Sequence, residues 1–399
     1  MNTMDMKQIC SKTVDQEFPT LWNLASHLFE HPEIAFEEKE ACKVLSSYLM
    51  DKGFEVETGI AGLPTAFKAV YRKGNGPRIA VFAEYDALRK LGHACGHHLI
   101  ATSALGCGVA MKAALENSDL QGSIEVYGTP AEEDGGGKII MLDQGVFDGI
   151  DAVFLMHPTS AKTRIGGECT SFSEYHVEYK GKPAQAESHP ENGINALDAA
   201  NLMYTAIGLL RQQLRDGIHI CIVTKGVFDV GSITDKAELE IEISTMKAKD
   251  IEETEIKIEN IAKGMALATG CTMEFTKIPG YLGRTPNTIL ADVCKTQLAL
   301  LNEPVMDGIP ADQGGEDLGD VSRHIPICNL YTTIYPDKKI SGHTVQFREY
   351  AISDYGKHCL DVSSKAMSYA MVDLFNDPSL LDKAKEELKI RMKKEKENE

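Results

Sequence analysis

Positive charge is what this sequence is short of. Its 399 residues carry 41 Lys and Arg against 59 Asp and Glu, a formal net charge of -18. No basic stripe could neutralise phosphates over that background, so nucleic acid is excluded as a partner. The one basic run, KIRMKKEKENE at the C-terminus, mixes both signs and reads as the solvated end of a helix. Long apolar runs are missing too. No stretch offers about 18 uninterrupted apolar residues, and the opening MNTMDMKQICSKTVDQEF lacks the apolar core of a secretory signal. A cytoplasmic chain without membrane contact is expected. The ten cysteines show no C-x-x-C spacing, which fits reduced thiols in that compartment. No strand-to-helix junction carries a Gly-rich fingerprint, which removes nucleotide cofactors. A G-x-S-x-G elbow is also absent, and Cys95 lies two residues from both His93 and His97, a spacing that rarely builds a catalytic dyad, so a serine or cysteine hydrolase is the poorer reading.

What is present is an alternation of strand and helix patterns. The length exceeds the roughly 250–300 residues at which single cores stop growing, so at least two lobes are expected. RIAVFA (78–83), SIEVYG (123–128) and DAVFLM (151–156) have the length and composition of buried strands. HHLIATSALGCGVAMKAALEN lies between the first two as a helix, and GGKIIMLDQGVF makes a shorter one before the third. This order predicts an α/β fold with a mixed, largely parallel sheet flanked by helices. From about residue 173 the texture changes to half-exposed strands and two amphipathic helices in βαββαβ order, the pattern of a ferredoxin-like split unit. The expected division is therefore 1–172 and 284–399 as one catalytic domain, with 173–283 inserted as an α+β lobe. A long closing helix is expected over about 349–375.

The polar motifs follow the strands. EYDAL comes after the first, TPAEED after the second and HPTS after the third. Ligands of open α/β sheets bind beyond the carboxyl ends of the strands, so the three motifs converge on one crevice with HACGHH. Cys95, His97, Glu132, Glu133, His157 and His343 are the metal-ligand candidates there. Each also has a plain structural reading: a buried thiol beside a helix-start histidine, a solvated turn, a turn histidine. The adjacent glutamates allow a division of labour, in which one binds metal and the other takes a proton from activated water. Gly135, Gly136 and Gly137 then suit a close backbone approach and a helix start.

Taken together, HPEIAFEEKEA, AEYDAL, GHACGH, GTPAEEDGGGK, the strand-end HP, KPAQA with GINALDAA, EDLGDVS and GHTVQF resemble, in that order, the aminoacylase and carboxypeptidase-G class of metallopeptidases. The likeness runs over nearly the whole chain and is strongest to the p-aminobenzoyl-glutamate hydrolase and aminoacylase-like dipeptidase branch. It implies a hydrolase of small amides with two divalent ions, zinc or manganese, with cobalt able to serve in vitro. It further implies a homodimer formed through the inserted lobe, which also contributes a lid. By the same likeness Cys95, His97, Glu133, His157 and His343 match the metal ligands, Glu132 the general base, and Asp86 the acid that orients the site from behind. His93 and His98 are left as supporting residues of the loop.

The lobe departs from the family pattern. Gln185 stands where relatives carry a histidine that stabilises the oxyanion in the partner's site, with His189 four residues on. Gly231 and Ser244 align with an asparagine and an arginine that grip the substrate carboxylate, and Ser244 cannot replace an arginine fork. His98 stands where relatives have Asp or Asn. Two explanations follow: a hydrolase whose substrate lacks or differently presents that carboxylate, or a metal-binding homologue without turnover. The intact Glu132 and ligand set favour the first, and a structural zinc protein ranks behind both, because structural sites close with four ligands.

Overall fold

The three apolar runs read from the sequence form the middle of one sheet. The structure, a computed structural model, describes residues 2–278, 280–312 and 314–397. In chain order, α1 (Thr3–Glu30) and α2 (Lys39–Asp51) precede β1 (Glu55–Thr58) and β2 (Phe67–Lys73). β3 (Arg78–Ala83), α3 (His97–Glu116), β4 (Gly122–Gly128), α4 (Gly137–Asp143), β5 (Ala152–Thr159) and β6 (Arg164–Ile165) follow. Then come β7 (Ser171–Lys180), β8 (Ala184–Gln185), α5 (Ala196–Leu210), β9 (His219–Lys225), β10 (Ser232–Ile233), β11 (Lys236–Thr245), α6 (Ala248–Thr269) and β12 (Thr272–Ile278). The chain closes with α7 (Thr288–Leu300), α8 (Leu318–Ser322), β13 (Ile327–Thr333), α9 (Val345–Ala351), α10 (Asp354–Asn376) and α11 (Ser379–Glu397).

Two compact units result. The first comprises Met1–Glu168, Arg284–Asp312 and Glu316–Glu399, and the second Cys169–Gly283 with Gln313–Gly315. The second thus begins a few residues before the expected 173, because Ser171 already pairs with Thr245 and Phe172 N–H donates to Tyr281 O. It also takes in a piece of the expected 284–399 segment. There Gly314 N–H donates to Thr170 Oγ1 at 3.0 Å and Gly315 lies against the Phe172 ring.

In the first unit the sheet order is β1-β2-β4-β3-β5-β13-β6. Its centre, β4-β3-β5-β13, is parallel, and antiparallel pairs flank it. The chain passes from β3 to β4 on one side and returns with β5 on the other, so a crevice opens outside the carboxyl ends of β3 and β5. α3 is long and apolar enough to cross a membrane by length and composition, yet every residue from His97 to Met111 is buried. It is the core helix, held between α1 and α10. Truncating one of its leucines, such as Leu105, would cost about 2–5 kcal/mol. The closing helix is broken where one continuous element was expected. Ser353 caps α10 by accepting Tyr355 N–H, which ends α9 at Ala351. α11 is anchored ahead of the C-terminal basic run, where Asn287 Nδ2 donates to Ala384 O and Glu387 accepts Thr288 N–H, and the run itself, from Lys389, forms the largely exposed end of that helix.

The second unit has a four-stranded antiparallel sheet ordered β12-β7-β11-β9. α5 and α6 pack on each other and on that sheet. Alternation sets the two faces: Tyr175, Val177, Tyr179, Leu239, Ile241 and Ile243 are buried, whereas Glu174, His176, Glu178 and Glu238 point the other way.

Candidate metal centre

The site begins with backbone that glycine and proline shape. Gly96, at φ 88°, caps the start of α3, and a Cβ on it would stand 2.7 Å from Pro158 Cγ. Only glycine lets the loop of Cys95 come this close to the end of β5. Cys95 Sγ then lies 3.4 Å from His157 Nε2. The other nitrogen of His157, Nδ1, donates to Pro158 O at 2.8 Å, which leaves Nε2 as a lone-pair donor.

His97 is oriented in the same manner. Its Nδ1 donates to Asp86 Oδ1 at 3.0 Å, and the second oxygen of Asp86 accepts Glu133 N–H at 2.9 Å. One carboxylate thereby fixes a ring and the peptide of the neighbouring loop. Nε2 of His97 is left facing Glu133 Oε1 at 3.6 Å, Glu132 Oε2 at 3.7 Å and Glu84 Oε2 at 3.8 Å. Among the described residues, neither His97 Nε2 nor Glu133 Oε1, both buried, has a hydrogen-bond partner. His343, at φ 56° and held by its N–H to Ala94 O, brings Nε2 to 3.4 Å from Glu133 Oε2.

Three groups of three donors follow: Cys95, His97 and His157; Cys95, Glu133 and His343; and Glu84, His97 and Glu132, the donor atoms of each lying within 4.8 Å of one another. Cys95 joins the first two groups and His97 the first and third. A set of S, N and O donors around a buried imidazole nitrogen and carboxylate oxygen that have no hydrogen-bond partner among the described residues fits divalent ions. Burial and then Glu133 and Glu132 push the Cys95 thiol well up, so only a cation would make it a thiolate. Burial, then Glu84, Glu133 and Asp317, push Glu132 well above the carboxylate range. Burial disfavours charge on His97, but Asp86, Glu133 and Glu84 outweigh it and lift His97 to about 9.

That geometry has counterparts among known proteins. Residues 80–357 match the family model described as Peptidase family M20/M25/M40. The chain belongs to the M20 peptidase family. It is 32% identical over 98% of its length to the Xaa-Arg dipeptidase of Mus musculus, covering 94% of that protein. To a chain of the p-aminobenzoyl-glutamate hydrolase of Escherichia coli (strain K12) it is 30% identical, over 71% of this chain and 62% of that one. A Bacillus subtilis crystal structure, of a dinuclear metal binding peptidase from the M20 family, superposes with a TM-score of 0.69 at 22% identity, covering 91% of this chain and 99% of that one. As an M20 protein the chain is a hydrolase of amide bonds from a dinuclear metal-binding family.

The structure thus brings together all five residues matched as ligands, with Glu132 and Asp86, at the carboxyl ends of β3, β4 and β5. His93 and His98 are buried beside that loop, ring centroids 5.2 Å apart, and His98 Nε2 faces Ala351 O at 3.4 Å. The four lobe residues are divided. Gln185 pairs with Ser232 in the ribbon β8–β10, Ala186 N–H donates to Gly231 O, and His189 N–H approaches Gln185 O, so three of them form one exposed cluster. Ser244 is not among them. It sits near the far end of β11, between Phe172 and His219, eight residues beyond Lys236, or about 26 Å of strand. Grouping Gly231 with Ser244 as one carboxylate grip therefore fails within one chain, because β11 holds them at opposite ends of the sheet.

Sequence reasoning missed Glu84, Lys138 and Asp317. Lys138 is fully buried, with Nζ 2.6 Å from both Glu84 Oε1 and Asp317 Oδ1. It compensates two carboxylates behind Glu132. All three lie inside the motifs AEYDAL, GTPAEEDGGGK and EDLGDVS, and a lysine directly after a glycine run beside paired acids was the available signal.

Proposed function

We propose that this M20 hydrolase cleaves the amide bond of a dipeptide or N-acyl amino acid, with Glu132 as general base and Cys95, His97, Glu133, His157 and His343 holding two ions. The supporting observation is the partnerless pair His97 Nε2 and Glu133 Oε1 inside a crowd of carboxylates. Thiolate, imidazole and carboxylate donors suit zinc, with manganese as the alternative. When bound, the ions supply positive charge that polarises the amide carbonyl and acidifies the attacking water. The protein's residues do the rest. Glu132, whose proton affinity burial raises, would accept as a carboxylate the proton of that water and return it to the leaving nitrogen. Asp86 fixes the His97 tautomer and the Glu133 peptide, and Lys138 balances Glu84 and Asp317 behind them.

The second unit is proposed to mediate a homodimer. Its edge strand β9 exposes Val223, and α5 exposes Leu202, Tyr204 and Leu209, a combination that invites pairing with a second copy. Its βαββαβ order supports the ferredoxin-like reading. Gln185, an uncharged donor, is proposed to replace the family histidine, which fits a substrate whose carboxylate is absent or differently placed. All ten cysteines are free thiols, which supports a reducing, cytoplasmic location.

The test is amine release by metal-reconstituted protein from Xaa-Arg dipeptides and N-acyl amino acids, each with a free or an amidated carboxylate, with Glu132→Gln as control. Turnover lost in the control supports the hydrolase. A preference for amidated substrates ties Gln185 to specificity, and metal-loaded protein silent over the whole panel would leave a binding protein without turnover.

A further inference from the structure

HPEIAFEEKEA supplies no ligand to the metal centre, although its residues touch two of the loops that do. Glu33 O accepts Ala87 N–H at 2.8 Å, next to Asp86. The Phe36 ring lies where a Cβ on Gly135 would meet it at 2.3 Å, beyond Glu132 and Glu133. Between these, fully buried Glu38 places Oε1 2.9 Å from the backbone nitrogen of Ala131.

Ala131 has φ 59°, a left-handed backbone that alanine rarely adopts, and it directly precedes Glu132 and Glu133. Both of its peptide groups are tied. Its N–H goes to Glu38, and its carbonyl accepts Gly136 N–H at 2.9 Å and Gly137 N–H at 3.3 Å. Glu38 also stands at the N-cap position of α2, yet its side chain makes no cap bond there. Glu33 caps that helix instead, its carboxylate accepting Glu40 N–H and Ala41 N–H. The local helix therefore has no need of the Glu38 carboxyl, and burial of an acid at this point finds its reason 93 residues away in sequence.

We propose that Glu38 is a positioning residue: by accepting the Ala131 N–H it holds that peptide left-handed and so aims Glu132 and Glu133. The inference rests on the assignment of Glu132 as base and Glu133 as ligand. Loss of the bond lets the alanine relax toward ordinary φ, which swings the next two side chains away from His97. Glycine at 131 tolerates the left-handed conformation unaided, so it should make Glu38 dispensable.

The test uses the full chain as Glu38→Leu, Glu38→Gln, Ala131→Gly and the double variant Glu38→Leu with Ala131→Gly. The readouts are kcat, KM and the zinc dissociation constant, alongside thermal melting. Glu38→Leu, which fills the volume without accepting a hydrogen bond, is expected to lower kcat roughly 10- to 100-fold with KM within about threefold, and to weaken zinc binding. Glu38→Gln retains an acceptor oxygen and should stay within about threefold of wild type. The double variant should recover most of the loss in kcat and zinc affinity even though its melting temperature stays low. Equal losses in Glu38→Gln and Glu38→Leu, or a double variant no better than Glu38→Leu, overturn the proposal. Should Glu38→Leu fail to fold, Glu38→Gln decides the matter, since its zinc affinity must match wild type. If wild type cleaves no amide, the hydrolase reading fails alone, and zinc affinity across the four variants still decides the role of Glu38.

Discussion

Glu132 in the first unit and Glu178 in the second are the same residue type, each in a cluster of histidine and carboxylates, and their environments drive them in opposite directions. Burial with Glu84, Glu133 and Asp317 nearby pushes Glu132 well up. Side-chain hydrogen bonds from Lys180 and Lys236 hold half-buried Glu178 down at about 2. His176, Glu178 and Glu238 have the spacing to hold an ion, as do the donors around Cys95. Yet Lys236 Nζ already sits 2.6 Å from Glu178 and 2.5 Å from Glu238. In the first unit the resident ammonium, Lys138, serves Glu84 and Asp317, while His97 Nε2 and Glu133 Oε1 keep no hydrogen-bond partner. Residue types and distances alone therefore do not make a metal site. Buried donors left without compensation do.

Breaking that contrast should have graded effects. The largest is on chemistry: Glu132→Gln should lower kcat by on the order of 10³-fold or more while bound metal, measured by atomic absorption, is unchanged. A variant with near-normal turnover would remove Glu132 as base. Next is metal retention. Chelation should lower the melting temperature of wild type, since ions bound to the folded state stabilise it by mass action. Cys95→Ala, which removes the donor common to the groups holding His157 and His343, should lose most of that response. Asp86→Asn should weaken metal binding about 10- to 100-fold through the loosened His97 ring and Glu133 peptide. In the second unit His176→Ala should leave metal stoichiometry untouched, and any loss of ions there would collapse the distinction.

Much of the first unit was legible because its signals are local. Six-residue apolar runs with polar motifs at their ends located β3, β4 and β5, and the helix between them, to within a few residues. The convergence of Cys95, His97, Glu133, His157 and His343 could be read from motif order, while their spacing alone left a turn histidine and a buried thiol equally open. Lys138 escaped because a lysine in sequence reads as solvated, and only the fold reveals that Glu84 and Asp317, far apart in the chain, enclose it. The break before α10 turned on Ser353, whose capping role is a matter of one hydroxyl. The separation of Ser244 from Gly231 within one chain was not legible, because an alignment conveys register in the chain but not the length of strand that separates two positions.

His358 and Glu303 stand between these two extremes. His358 Nε2 lies 2.8 Å from Glu303 Oε2, with the carboxylate buried and the imidazole half exposed. Here a histidine itself compensates a buried acid, as Lys138 does more deeply. The hydrogen bond to Glu303 raises His358 above its ordinary value against the pull of burial. Burial alone would raise Glu303, but His358 and Thr163 outweigh it and hold it down. The signs set a window. The lowered acid contributes stability that is present above its unfolded value near 4.3 and lost as pH falls through its folded one. The raised histidine contributes stability that is complete below about 6.5 and lost as pH rises through its higher folded value. His358→Gln should therefore cost most between about pH 5 and 6 and progressively less toward pH 9. Half exposure limits the effect to about 0.5–1 kcal/mol, a shift of roughly 1–4 °C in melting temperature. A melting difference that stays constant across that range would show the pair is not charged in the folded protein, and the compensation argument would then apply to fully buried acids alone.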